Sequence, residues 1–93
     1  ADIPREGNIE VPAKKEAIAI CRKNPYIDNN ILLAGCVKME QEGARSILRM
    51  IRSSRDNASE AYWNCVKNPY IDTYSLLSGC MQQELEAKKF LSK

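Results

Sequence analysis

The chain of 93 residues contains no histidine, one tryptophan and one phenylalanine. Without imidazole there is no Ser-His or Cys-His nucleophile pair, no imidazole metal ligand, and no side chain whose ordinary pKa lies near neutrality. Long apolar runs are also missing, so no segment can span a bilayer. The formal charge of +2 is too small to point to nucleic acid or a membrane surface, which leaves only local clusters to carry an electrostatic argument. The first residues do not read as a secretory leader, and Ala1-Asp2 is an acceptable first pair after signal cleavage, as expected of a mature form.

What the chain does contain is one unit written twice. Cys21-Arg-Lys-Asn-Pro-Tyr-Ile-Asp28 leads to Leu32-Leu33-Ala-Gly35-Cys36, and Cys65-Val-Lys-Asn-Pro-Tyr-Ile-Asp72 leads to Leu76-Leu77-Ser-Gly79-Cys80. Every cysteine belongs to the duplicated unit. An even number at repeated spacing reads as two disulfides and an oxidising compartment, bacterial periplasm or secreted. Two pairs of buried free thiols in a cytosolic adaptor are the alternative.

Residues 1–12 hold Pro4, Gly7 and Pro12 with little apolar periodicity, and read as an extended or disordered arm. Helical spacing begins at Ala13, where Ala17, Ile20 and Cys21 share a face, and stops near Asn24 because Pro25 follows. Asp28 is placed to cap the next helix, with Ile27 and Leu32 as a hydrophobic staple; Asp72, Ile71 and Leu76 repeat the arrangement. The second helix should run from about Asn29 to Ser53 or Ser54, with Leu32, Leu33, Cys36, Met39, Gly43, Ile47, Met50 and Ile51 on one stripe. A third helix capped by Asn57 or Ser59 should carry Ala61, Tyr62, Cys65 and Val66. A fourth, roughly Thr73 to Leu91, should bury Leu76, Leu77, Cys80, Met81, Ala87, Phe90 and Leu91. The expectation is an all-α fold: four helices as two tandem disulfide-stapled hairpins with a pseudo-two-fold internal repeat, in one domain over 13–93 divided at about 13–56 and 57–93.

Three cysteine connectivities are possible, and local geometry favours Cys21 with Cys36 and Cys65 with Cys80. Cys21 lies one turn before its helix ends and Cys36 two turns into the next, a mismatch of roughly 7 to 8 Å that a short extended connector absorbs. Gly35 and Gly79 fall inside helices, at a cost of about 1 kcal/mol each relative to alanine. A close crossing of the partner helix beside each cystine would explain them; room for a ligand is the alternative.

Support for catalysis is thin. The cysteines lie within helices rather than paired at a helix start, as a thiol oxidoreductase would have them, and a zinc site would need all four thiolates to converge. Glu40 with Glu42, and Glu84 with Glu86, are two apart and point to different faces, which suits solvated surface better than an acid and base acting together. No catalytic, cofactor-binding or metal-ligating residue is therefore assigned.

Two surface features remain. Arg45, Arg49, Arg52 and Arg55 are spaced to line one side of the second helix near its end, able to meet an acidic partner; complementing the helix dipole and pairing with Glu42 is the plainer reading. Aromatic residues gather in the second copy, where Trp63, Tyr70 and Tyr74 are candidate contacts, with packing against the neighbouring hairpin as the alternative for Trp63. Cystine-pinned helical hairpins resemble the twin-cysteine coiled-coil-helix proteins of the mitochondrial intermembrane space. Those carry paired cysteines on each helix, whereas this chain has one per helix, and no residue role carries over.

The expected function is that of a secreted or periplasmic, non-enzymatic binding module for another protein, of inhibitor, immunity or adaptor type. Carriage of a small apolar ligand between the hairpins is the alternative. The length of the second helix also suits a homodimer.

Overall fold

Helix boundaries follow from the connectors. The computed structural model describes residues 9–92, and among these it contains four helices and no strand: α1 Lys14–Cys21, α2 Asn30–Ser53, α3 Arg55–Val66 and α4 Tyr74–Leu91. Residues 1–8 of the expected arm lie outside the described residues, as does Lys93. The fold is all-α with two disulfides, Cys21–Cys36 and Cys65–Cys80, whose Cα atoms stand 6.0 and 5.9 Å apart. All four cysteines are thereby consumed, so no thiolate remains to ligate zinc.

The two connectors share one hydrogen-bond pattern. Asn24 N–H donates to the Cys21 carbonyl, and the Asn24 side-chain oxygen accepts from Tyr26 N–H at 3.0 Å; Asn68 repeats both, the second at 2.9 Å. These are Asx turns, in which a short amide side chain imitates backbone while Pro25 or Pro69 supplies the fixed φ. The helix caps are one residue later than expected. Asn29 Oδ1 accepts from Leu32 N–H at 2.9 Å, and Thr73 Oγ1 accepts from Leu76 N–H at 3.2 Å. Asp28 and Asp72 lie just outside and are exposed. The shift moves the fourth helical residue to Leu33 and Leu77, and Ile27 joins Leu33 in one cluster while Ile71 joins Leu77 in the other.

Only Ser54, extended at φ −161° and ψ 100°, separates α2 from α3. The expected break of several residues is thus a single one, neither Asn57 nor Ser59 caps α3, and Arg55 is its first residue. The core divides unequally. Ile9, Ile47, Ile51, Ala58, Ala61, Cys65, Leu77 and Met81 form the larger cluster; Ala17, Cys21 and Val37 form the smaller. Ile9 is only 7% exposed, so the end of the arm is packed rather than free. Pro12 is buried as well, and its carbonyl accepts from Gln41 Nε2 at 3.1 Å.

The apolar stripes turn differently from expectation. On α2 the buried positions are Val37, Glu40, Gly43, Ala44, Ile47 and Ile51, while Met39 is 60% exposed and Leu32 47%. On α4 only Leu77, Ser78 and Met81 are buried; Leu76, Phe90 and Leu91 face outward, and Ala87 is exposed. Met39 and Leu76 stand within a turn of the α2–α4 contact yet turn outward, whereas Phe90 and Leu91 lie at the end of α4. Neighbouring helices reach only part of α2 and α4, as the 46 Å long axis of a molecule 24 × 21 Å in section reflects.

Candidate functional site

A lock between the hairpins holds the start of α4 against the middle of α2. Glu40, in the middle of α2, is 3% exposed, and its carboxylate accepts from the backbone N–H groups of Tyr74 at 3.0 Å and Ser75 at 3.2 Å. Both amides belong to the first turn of α4, whose unsatisfied donors and positive dipole end suit an anion. One turn further along α2, Gly43 lets the backbone approach. A Cβ there would meet the carbonyl carbon of Tyr74 at 2.7 Å and the nitrogen of Ser75 at 2.8 Å, leaving no room for any side chain. Gln82 Nε2 donates to Ser46 Oγ at 2.9 Å farther down the same seam. Glu40 is thus not the solvated surface residue its spacing from Glu42 suggested. Its signal was readable, because Val37, Glu40, Ala44, Ile47 and Ile51 follow one another at steps of three and four.

The glycines expected to admit neighbouring helices do not. Around a Cβ on Gly35 or Gly79 nothing lies within 4 Å, and both residues are exposed. The cystines cross without needing them. Gly79 and Gly43 instead line an open groove of about 350 Å³ between α2 and α4, with Met39, Ser75, Ser78 and Arg49 among its walls. A second trough of about 350 Å³ lies within the first hairpin, floored by Ile18, Leu33, Ala34 and Val37 and rimmed by Lys14 and Lys38.

The arginine face is largely satisfied internally. Arg49 pairs with Glu42 at 2.7 Å and Arg45 with the same carboxylate at 3.6 Å, all three side chains being more than half exposed. The Arg49 hydrogen bond, with both guanidinium charges, holds the Glu42 carboxyl below its usual range. Arg52 is also engaged. Arg55, on α3, does not share the α2 face, so the expected row of four does not exist.

The aromatic candidates separate clearly. Tyr70 is 83% exposed, and so is its counterpart Tyr26. Tyr74 instead packs against the larger core, where burial, followed by the Glu40 charge, raises its phenol above 10.0. Trp63 is half-buried, its ring edge-on to Tyr62 with centroids 5.4 Å apart. Among the described residues no cluster of metal-ligating side chains is present, and no helix is long and apolar enough to cross a membrane. No protein-family model, curated protein or solved structure matches the chain.

Proposed function

We propose that this protein is a non-enzymatic binding module of an oxidising compartment, periplasmic or secreted, that offers a rigid helical surface to another protein as an inhibitor, immunity factor or adaptor. One observation carries the reading. Tyr26 and Tyr70 stand 83% exposed at matching positions, each on a turn held by its own Asx hydrogen bond and anchored by a cystine. An aromatic side chain carried on a fixed turn has only its own two rotatable bonds left to order on binding, which favours its use as an anchor. The pairing of all four cysteines supports the oxidising compartment.

Arg45 and Arg49, ion-paired with Glu42 and more than half exposed on α2, would tune encounter rate more than affinity. Immobilised protein should retain a specific protein from the extracytoplasmic fraction of its source. Replacing both tyrosines, Tyr26→Ala/Tyr70→Ala, should abolish that retention while leaving the helical circular dichroism intact; equal retention by the two forms would contradict the reading.

The trough beneath Lys14 and Lys38 favours a second reading, carriage of an amphiphilic anion with its apolar part on Ile18, Leu33, Ala34 and Val37. Native mass spectrometry of gently isolated protein distinguishes the two, since a carrier arrives loaded.

A further inference from the structure

One face of the helical hairpin is covered in the second unit and bare in the first. Counting from Cys21 and Cys65, the trough residues Ile18, Leu33, Val37 and Gln41 have Tyr62, Leu77, Met81 and Leu85 as counterparts. All four counterparts belong to the larger cluster. Ala34, which is exposed, corresponds to Ser78, which is 5% exposed. What covers the second hairpin is a helix, the C-terminal half of α2. Glu40 accepts from the first two N–H groups of α4, Gly43 lies against the backbone there, Gln82 donates to Ser46, and Ile47 and Ile51 join the cluster. Over this stretch α2 runs parallel to α4, since Glu40 meets Tyr74 and Ser46 meets Gln82.

The first hairpin keeps the parts of this seat with no helix in it. Asn30 and Ile31, the first residues of α2, are the counterparts of Tyr74 and Ser75, and among the described residues nothing accepts from their N–H groups. The trough follows α2 from Asn30 to Gln41, about 16 Å, which is also the distance along α2 from Glu40 to Ile51. The rim differs in charge. Ala58 and Gln82 of the second hairpin are Lys14 and Lys38 in the first; both lysines line the trough, and among the described residues neither forms an ion pair. Where Gln82 meets the Ser46 hydroxyl, an ammonium at Lys38 calls for a carboxylate.

We propose that this trough seats an acidic amphipathic helix of a partner protein, lying on α2 as α2 itself lies on α4. A carboxylate near the start of that helix takes the Asn30 and Ile31 N–H groups, a small residue follows one turn on, apolar side chains cover Leu33, Ala34 and Val37, and further carboxylates face Lys14 and Lys38. The occupant is a helix because the covered hairpin holds one, and acidic because two lysines stand where that hairpin has alanine and glutamine. The proposal rests on reading the protein as a binding module for another protein, but it uses neither Tyr26 nor Tyr70.

The probe is the covering helix of the chain itself: a hydrocarbon-stapled peptide of residues 38–53 carrying Ser46→Glu, titrated into the unreduced, isotope-labelled protein and followed by amide chemical shifts. Saturable shifts should concentrate at Lys14, Ile18, Asn30, Leu33 and Ala34. Ala34→Glu, which sets a charge on the trough floor at an exposed position, should abolish them while the helical circular dichroism stays unchanged. Lys38→Glu should weaken binding more than tenfold, and a peptide carrying Ser46→Lys should recover it. Tyr26→Ala/Tyr70→Ala should bind the peptide as the wild type does, so failure of partner capture and failure of this seat are told apart. The proposal is overturned if no saturable shift appears up to about 1 mM, the weak limit of specific binding, or if Ala34→Glu binds like the wild type. It is equally overturned if binding is lost in the tyrosine variant, which would place the peptide elsewhere, or if dodecanoate shifts the trough residues and the peptide does not.

Discussion

The same sixteen-residue unit builds two hairpins that differ in what holds them. In the second hairpin, α3 and α4 pack against the C-terminal half of α2 and bury most of the larger cluster, to which Ile9 also contributes. In the first, α1 has eight residues and only Ala17 and Cys21 buried, facing Val37 and a few half-buried neighbours. Identical residues form the turn and the cystine in both, and Asn29 and Thr73 serve alike as caps; the amount of apolar surface each can hide was set by the residues outside the unit. The first hairpin therefore depends on its disulfide, and the second on its core.

The largest expected effect breaks the joint between them. Gly43→Val forces a branched side chain into the Tyr74 and Ser75 backbone, at positions 2.7 to 2.8 Å from where its Cβ would sit. It should cost about 3 kcal/mol in chemical denaturation, the upper range for overpacking. Gly35→Ala and Gly79→Ala, measured in the same way, should each gain up to about 1 kcal/mol. Glycines alike in sequence thus give opposite signs according to what stands opposite them.

Removing one cystine at a time sharpens the contrast between the hairpins. Each closes a loop of equal length, with a sequence separation of 15, worth about 3 kcal/mol in the chain-entropy model. The totals for Cys21→Ala/Cys36→Ala and Cys65→Ala/Cys80→Ala should be similar, but their distribution should not. Hydrogen exchange should show α1 losing nearly all protection in the first variant while α3 and α4 keep theirs. In the second variant, α3 should remain protected by the core it shares with α2. Equal local loss in both would show that the two cores hold their helices alike.

The smallest effect is in pH. Tyr74 is raised by burial and by Glu40, so its folded phenol takes up a proton more readily than the unfolded one. The stability this represents is complete below the ordinary phenol value of 10.0 and is lost as pH rises through the higher folded value. Alkaline stability curves of wild type should fall more steeply above that value than those of Tyr74→Phe. Glu42 has the opposite sign: its lowered carboxyl loses its contribution as pH falls below the usual carboxylate range, and Arg49 is released.

Much of this was legible in the chain. The duplicated spacing implied four helices and the turn after each first helix, and local helix geometry, not the repeat, favoured the pairing of Cys21 with Cys36 and Cys65 with Cys80 that the structure has. Local chemistry competed on equal terms at the caps: Asp28 and Asn29 both suit the role, and the choice of Asn29 goes with the placement of Leu33 in the core. Repetition itself misdirected the reading of the glycines, since Gly35 and Gly79 drew notice by recurring while the indispensable Gly43 stood alone in a stripe. Glu40 was discounted as an acid, although its three-and-four spacing with Val37, Ala44 and Ile47 placed it on the buried face. Arg55 could be placed only by knowing that Ser54 alone ends α2. The exposure of Tyr26 and Tyr70 depended on packing that no local pattern encodes.

The account stands most directly on the disulfide pattern. Proteolysis of the native protein without reductant, followed by mass spectrometry of the linked peptides, should recover Cys21 joined to Cys36 and Cys65 joined to Cys80, with no free thiol. Links running from one unit to the other, or unpaired cysteines, would contradict the two self-contained hairpins from which the surface is built.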